Sequence, residues 1–171
     1  MRNVLKTCRY LGAGLIATVC LSCTGSSRVE SAVVTGIEGV PCFSVPWTKE
    51  TNKGIPLFGL SVARMPGPDE NLPEIVWSFE VKPVGSSILA VPGKCLPYGA
   101  TPMVAGKAES KLLLPYHIYG AQIQAKQDNT NLKGFTAEFC LKPAANGKLR
   151  VQAIPWDDKN ERWYYQVCAK S

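Results

Sequence analysis

Four cysteines, Cys42, Cys95, Cys140 and Cys168, are the side chains best suited to chemistry in the body of this chain, and they lie 53, 45 and 28 residues apart. A zinc site needs ligands at close pairwise spacing, as in C-x₂₋₄-C. An even set of widely spaced cysteines instead predicts two disulfides in an oxidising compartment. The single histidine, His117 in LLLPYHIYGAQIQAK, would have to serve any Ser–His–acid triad. It shares the odd-numbered face with Tyr119, Ala121, Ile123 and Ala125, which predicts a structural role, and no G-x-S-x-G turn accompanies it. Carboxylates pair as Asp69-Glu70 in MPGPDEN and Asp157-Asp158 in PWDDKN, turn sequences suited to solvation rather than to acid–base work. No glycine follows a strand and opens a helix, as a phosphate loop requires. The expectation is a protein that is not an enzyme and uses no metal and no cofactor.

Two further cysteines, Cys20 and Cys23, stand three apart in ATVCLSCTGSS (17–27). A redox C-x-x-C belongs at a strand–helix junction of a folded unit, whereas these two end an apolar run. Upstream, MRNVLKTCRY carries Arg2, Lys6 and Arg9 and no acidic residue, and LGAGLIATVCLS follows. A positive segment, a short apolar segment and a small residue before the cut make a secretory signal peptide. The run is shorter than the ~17–25 residues of a membrane span. Leu21-Ser22-Cys23 resembles the end of a bacterial lipobox, although Cys20 stands where that pattern usually has Leu. Cys23 is then the lipid anchor, and Thr24 after it, rather than Asp, implies the periplasmic face of the outer membrane. The predicted organisation is a lipoprotein signal peptide at 1–22, a lipidated N-terminus and tether at 23–31, and one domain at 32–171.

Without the signal, sixteen basic residues face thirteen acidic ones, with no basic run, which argues against nucleic-acid binding. The dominant apolar period is two, the signature of strands with one buried face. In KGFTAEFCLK the apolar set is Phe135, Ala137, Phe139 and Leu141; in KLRVQAI it is Leu149, Val151 and Ala153; in RWYYQVCAK it is Trp163, Tyr165 and Val167. These three segments predict a meander, and six further strands are expected near 31–36, 40–45, 57–63, 75–81, 87–91 and 116–125. The predicted fold is all-β: a single antiparallel β-sandwich of immunoglobulin or fibronectin III type with an additional C-terminal hairpin, stabilised by disulfides. In the meander, Cys140 and Cys168 would sit on strands separated by a third, ~10 Å apart at a strand spacing of ~4.8 Å. A disulfide needs Cα atoms ~4.4–6.8 Å apart. That geometry disfavours a Cys140–Cys168 bridge and leaves two other connectivities open.

The remaining chemistry lies in loops. RMPGPDENLP, the segment from Lys94 to Leu112, and KQDNTNLKG interrupt the strands, and long loops in compact domains are often functional. Trp, Tyr and Arg are the residues that dominate protein–protein contacts. The candidate contact residues are Trp47, Lys49, Glu50 and Lys53 in PWTKETNKG, and Trp156, Asp157, Asp158 and Arg162 in the last turn.

Taken in order, PCFSVPW (41–47), PGKCLPYG (92–99), YHIYGAQIQA (116–125), FTAEFCLK (135–142) and YYQVC (164–168) resemble the type VI secretion immunity periplasmic lipoproteins of Gram-negative bacteria. The resemblance implies a small anchored β-domain that binds and neutralises a cognate secreted protein toxin without catalysis, touching the membrane through its lipid and no nucleic acid. Two other classes are weighed beside it. One is a periplasmic hydrolase acting on envelope polymers, and the other is a structural or carbohydrate-binding envelope lipoprotein.

Overall fold

The computed structural model describes residues 29–67, 69–82, 88–100, 102, 109–126 and 132–170; the signal peptide, Cys23 and most of the tether lie outside them. The last three tether residues, Val29–Ser31, form strand β1, followed by β2 (Val33–Ile37) and β3 (Val40–Ser44). β4 (Ile55–Arg64) and β5 (Glu74–Glu80) make a hairpin, and two short strands follow, β6 (Leu89–Ala90) and β7 (Leu96–Pro97). β8 (Ile118–Lys126), β9 (Leu132–Pro143) and β10 (Leu149–Ile154) come next, then the small strands β11 (Trp156–Asp157) and β12 (Arg162–Trp163). A 3₁₀ turn over Tyr165–Cys168 ends the described chain.

The protein is all-β with several sheets. The main sheet runs β1-β9-β8-β4-β5, with β10 also on β9 and β6 on β4; β2-β3-β7 form a second sheet and β11-β12 a third. Period-two patterning explains the main sheet. Phe135, Phe139 and Leu141 of β9, with Tyr119, Ala121 and Ile123 of β8 and Leu60 and Val62 of β4, all turn inward. The second sheet covers this front face, and its Phe43 ring lies 5.6 Å from Phe139 and 6.4 Å from Trp77. Gly39 permits the close approach of the β2–β3 turn to β10. Its φ is +85°, and a Cβ there would stand 2.7 Å from the Leu149 carbonyl oxygen.

The sheet is not wholly antiparallel. β1 pairs in parallel with β9, Val29 opposite Gly134 and Ser31 opposite Thr136, and the Ala32 N–H still donates to the Thr136 carbonyl. β10 takes the rest of the same edge, ending with Ile154 opposite Glu138. The first hairpin of the expected meander is therefore present and the second is not. Once Ile154 is reached, β1 occupies the next stretch of β9, and Pro155 has no N–H to offer a ladder. The chain leaves the sheet, makes the β11–β12 hairpin and returns over the back face as the 3₁₀ turn rather than as a third strand.

That path corrects the disulfide expectation. The pairs are Cys42–Cys95, with Cα atoms 5.4 Å apart, and Cys140–Cys168, with Cα atoms 6.1 Å apart. A separation of ~10 Å holds only for a Cys168 in a strand beside β10. Cys168 lies instead across the back face, directly over β9. There Cys140, Ile154 and Cys168 form a second small core, packed by Ile118, Trp163 and Val167.

Candidate functional site

Two solvent-facing tryptophan surfaces emerge, each built by a different local logic. The first is the C-terminal unit on the back face. Trp156 and Trp163 pair across β11–β12 with ring centroids 5.2 Å apart, edge to face. Asp157 closes the turn: its Oδ1 accepts from the N–H groups of Lys159 (3.1 Å) and Asn160 (3.2 Å), and its Oδ2 accepts from the Asn160 side chain (2.6 Å). The Asn160 side-chain bond, then its backbone N–H, hold the Asp157 carboxyl below its ordinary range. Asp157, expected as a contact charge, therefore organises its own hairpin, while Asp158 and Arg162 are exposed. Trp156, Tyr164 and Tyr165 remain 41%, 46% and 45% exposed on a unit pinned by the Cys140–Cys168 bridge.

The second surface is the loop PWTKETNKG between β3 and β4. Its anchor is Thr51, fully buried, whose hydroxyl donates to the Pro46 carbonyl and accepts from the Thr48 N–H at 3.0 Å. The Thr51 N–H donates in return to the Thr48 hydroxyl at 3.2 Å. This reciprocal pair closes the loop on itself and leaves Trp47 75% exposed, with Lys49 and Lys53 also exposed. Glu50, expected as a contact residue, bonds Lys133, which also meets Glu30 at 2.8 Å. Burial disfavours the Lys133 charge, but hydrogen bonds to Glu30 and Glu50 outweigh it and its pKa is raised. The ammonium also lies 5.5 Å from the Phe135 ring centroid.

Two further features gather polar groups. Glu138 of β9 is 8% exposed beneath the C-terminal turn; Tyr165 hydrogen-bonds it, and its Oε2 has no partner. Burial raises the Glu138 carboxyl, and burial followed by the Glu138 bond pushes the Tyr165 phenol up to about 12. Gly120 stands opposite Glu138 across the strands, and the space beside it is taken by Met65, whose sulfur would lie 3.2 Å from a Cβ there. At the far end of the sheet, a depression of about 380 Å³ is lined by residues that include Arg64, Asp69, Glu70, Tyr116 and His117. Arg64 is already engaged there, with Glu70 at 2.9 Å and Glu74 at 3.0 Å. These ion pairs tie Glu70 and Glu74 to the end of β4, while the described residues between them stay irregular, as expected. His117 precedes β8 instead of continuing its buried face. Among the described residues no three His, Cys, Asp or Glu side chains are grouped to hold a metal ion.

Of the residues singled out from the sequence, the structure keeps the four of PWTKETNKG together and the four of the last turn together, on different parts of the molecule. Sequence reading missed Lys133, Glu30 and the Thr48–Thr51 pair, although two threonines three apart before a glycine are a local turn signal. Strand alternation also placed Tyr165 on the buried side, whereas a 3₁₀ turn forms there and leaves it exposed. Comparison with protein-family models, with curated proteins and with solved structures finds no match for the chain.

Proposed function

We propose that this chain is a periplasm-facing lipoprotein, held at the outer membrane through Cys23, that binds and neutralises a type VI secretion toxin by covering it rather than by catalysis. The observation that carries the reading is the C-terminal unit: Trp156, Arg162, Tyr164 and Tyr165 displayed on a hairpin and the turn after it, fixed by an edge-to-face ring contact, an Asp157-closed turn and a disulfide. Those are the residue types of binding hot spots, and holding them rigid before contact reduces the entropy lost on association. Two cysteine pairs suit an oxidising compartment. The scaffold that goes with this reading is a two-layer sandwich of immunoglobulin or fibronectin III kind, supported by the packing of Phe43 against Trp77 and Phe139.

Deletion of the gene should leave cells sensitive to a type VI toxin of their own kin, and the anchored protein, but not a cytoplasmic version, should restore survival. Replacing Trp156 and Tyr164 by Ala should weaken toxin binding by at least about tenfold, as loss of hot-spot aromatics does, with the fold retained. Unchanged kin competition after deletion, together with no protein captured from toxin-producing cells, would overturn the reading.

One observation favours a second reading, an envelope hydrolase. Glu138 is a buried carboxyl with a raised pKa, the property expected of a general acid. Glu138→Gln would then abolish release of soluble fragments from purified envelope polymer; no release by the wild-type chain dismisses it.

A further inference from the structure

At the Val29 end of the main sheet, exposed tryptophan, leucine and lysine come together. β1 and β9 start there, β8 ends there, and the loops before β4 and after β6 close it. Val29, Trp47, Leu89 and Leu132 are 59%, 75%, 44% and 49% exposed, and all four lie at this end. Leu132 stands opposite Lys126 at the β8–β9 junction, and Leu89 meets Gly54 at the close of the tryptophan loop. Lys49, Lys53, Lys94 and Lys126 are exposed around them. The acidic residues of the loop and of β1, Glu50 and Glu30, are both bonded to Lys133, so among the described residues of this end the lysines are in excess.

Exposed tryptophan and leucine ringed by lysine is the composition of a surface that sits at the lipid–water boundary. The indole lies at headgroup depth and the ammonium groups meet anionic lipids. The location argues for the same occupant. The described chain begins at Val29, at this end, and the expected anchor Cys23 lies only six residues before it. Such a tether reaches about 20 Å even when fully extended, so a lipid at Cys23 keeps this end of the domain within that distance of the bilayer.

We propose that the Val29 end is a second membrane contact, in which Trp47 enters the headgroup layer of an anionic leaflet and the surrounding lysines bind its phosphates. The proposal rests on the anchor reading and extends it. The lipid supplies attachment, and the protein surface supplies orientation, turning the C-terminal unit away from its own attachment point. One hydrophobic signal anchors marginally and a second stabilises it, so the surface also prolongs residence.

The test uses the full lipidated chain reconstituted in vesicles of phosphatidylethanolamine and phosphatidylglycerol, part of the lipid carrying brominated acyl chains that quench tryptophan on contact. The wild-type protein should show a quenched component that disappears in Trp47→Phe, shrinks in the Lys49→Glu, Lys53→Glu double variant, and grows with the phosphatidylglycerol share. Equal quenching of wild type and Trp47→Phe overturns the proposal. So does shielding of Trp47 that appears only when a protein partner is added, which would make this end a protein contact. If the purified chain carries no lipid, the anchor reading is lost. Quenching of Trp47 by added vesicles of the same composition, present or absent, then decides the surface by itself.

Discussion

Trp47 and Trp156 are both displayed to solvent, but the loop carrying Trp47 is held by hydrogen bonds and charge, whereas the hairpin carrying Trp156 is held by ring contacts and a covalent bridge. The first is continuous with the front core, since Val45 before the loop and Ile55 after it both belong to that core. The second stands on a small core of its own, three buried residues on the back of β9. A surface integrated into the main core inherits that core's stability. A surface added to the reverse side of a sheet needs a separate fastening, and here the disulfide provides it.

Removing the fastening should separate the two most clearly. Replacing Cys140 and Cys168 by Ala lifts the constraint on a 28-residue separation, a loss of about 3–4 kcal/mol on chain-entropy grounds. Limited proteolysis should then cut within 155–170 while the loop at Trp47 stays protected. Thr51→Val tests the other side. It leaves the Pro46 carbonyl and the Thr48 N–H without their buried partner, worth about 2 kcal/mol. Denaturant unfolding should show that loss, and Trp47 should become mobile by time-resolved fluorescence anisotropy without any change at Trp156.

Lys133→Ala removes the shared partner of Glu30 and Glu50. Both carboxylates are partly solvated, so the loss should be about 1–2 kcal/mol, less than for a fully buried pair. It should shrink in high salt, whereas the loss from the Cys140 and Cys168 replacement should not.

Glu138→Gln is the smallest and carries a sign. The folded state raises this carboxyl above its ordinary value of 4.5, so the folded protein holds its proton more tightly than the unfolded chain does. The associated stability is complete below the unfolded pKa and is lost as pH rises through the raised folded one. Glu138→Gln should therefore be more stable than wild type at neutral pH, by roughly 1 kcal/mol. The gap should close as the pH falls toward that of an ordinary carboxylate. Paired thermal melts across that range measure it.

The sequence made the front face legible and the back face opaque, for a definable reason. Alternation in FTAEFCLK identified Phe135, Phe139 and Leu141 as buried because one side of that strand meets a core, and period two records a single buried side. Glu138 and Cys140 fall on the opposite parity and read as solvent-facing. Their burial depends on a segment that follows β10, whose path is decided by competition for the β9 edge and by Pro155. RWYYQVCAK alternates as well as any strand, yet it turns back over Cys140 as a 3₁₀ turn instead of pairing with β10. Tertiary context overrode the local pattern, and the disulfide pairing went with it. At the contact surfaces, Trp47 and Trp156 were found from residue type alone, while Lys133 could not be. A lysine in KQDNTNLKG is buried only because Glu30 and Glu50 arrive from distant parts of the chain.

The parallel pairing of β1 with β9 also sets an order of assembly. Val29 can be hydrogen-bonded into the sheet only after Gly134 has appeared, and β4 must wait for β8 in the same way. For a chain delivered N-terminus first, the β4–β5 hairpin and the β2–β3 turn are the local structures that can form early, and the main sheet closes late, as non-local pairing requires. The first residues of the domain are then the ones left longest without a partner. A polypeptide that threads a narrow pore before folding would benefit from that delay, because its first strand has no place in the sheet until the distal strands have come through.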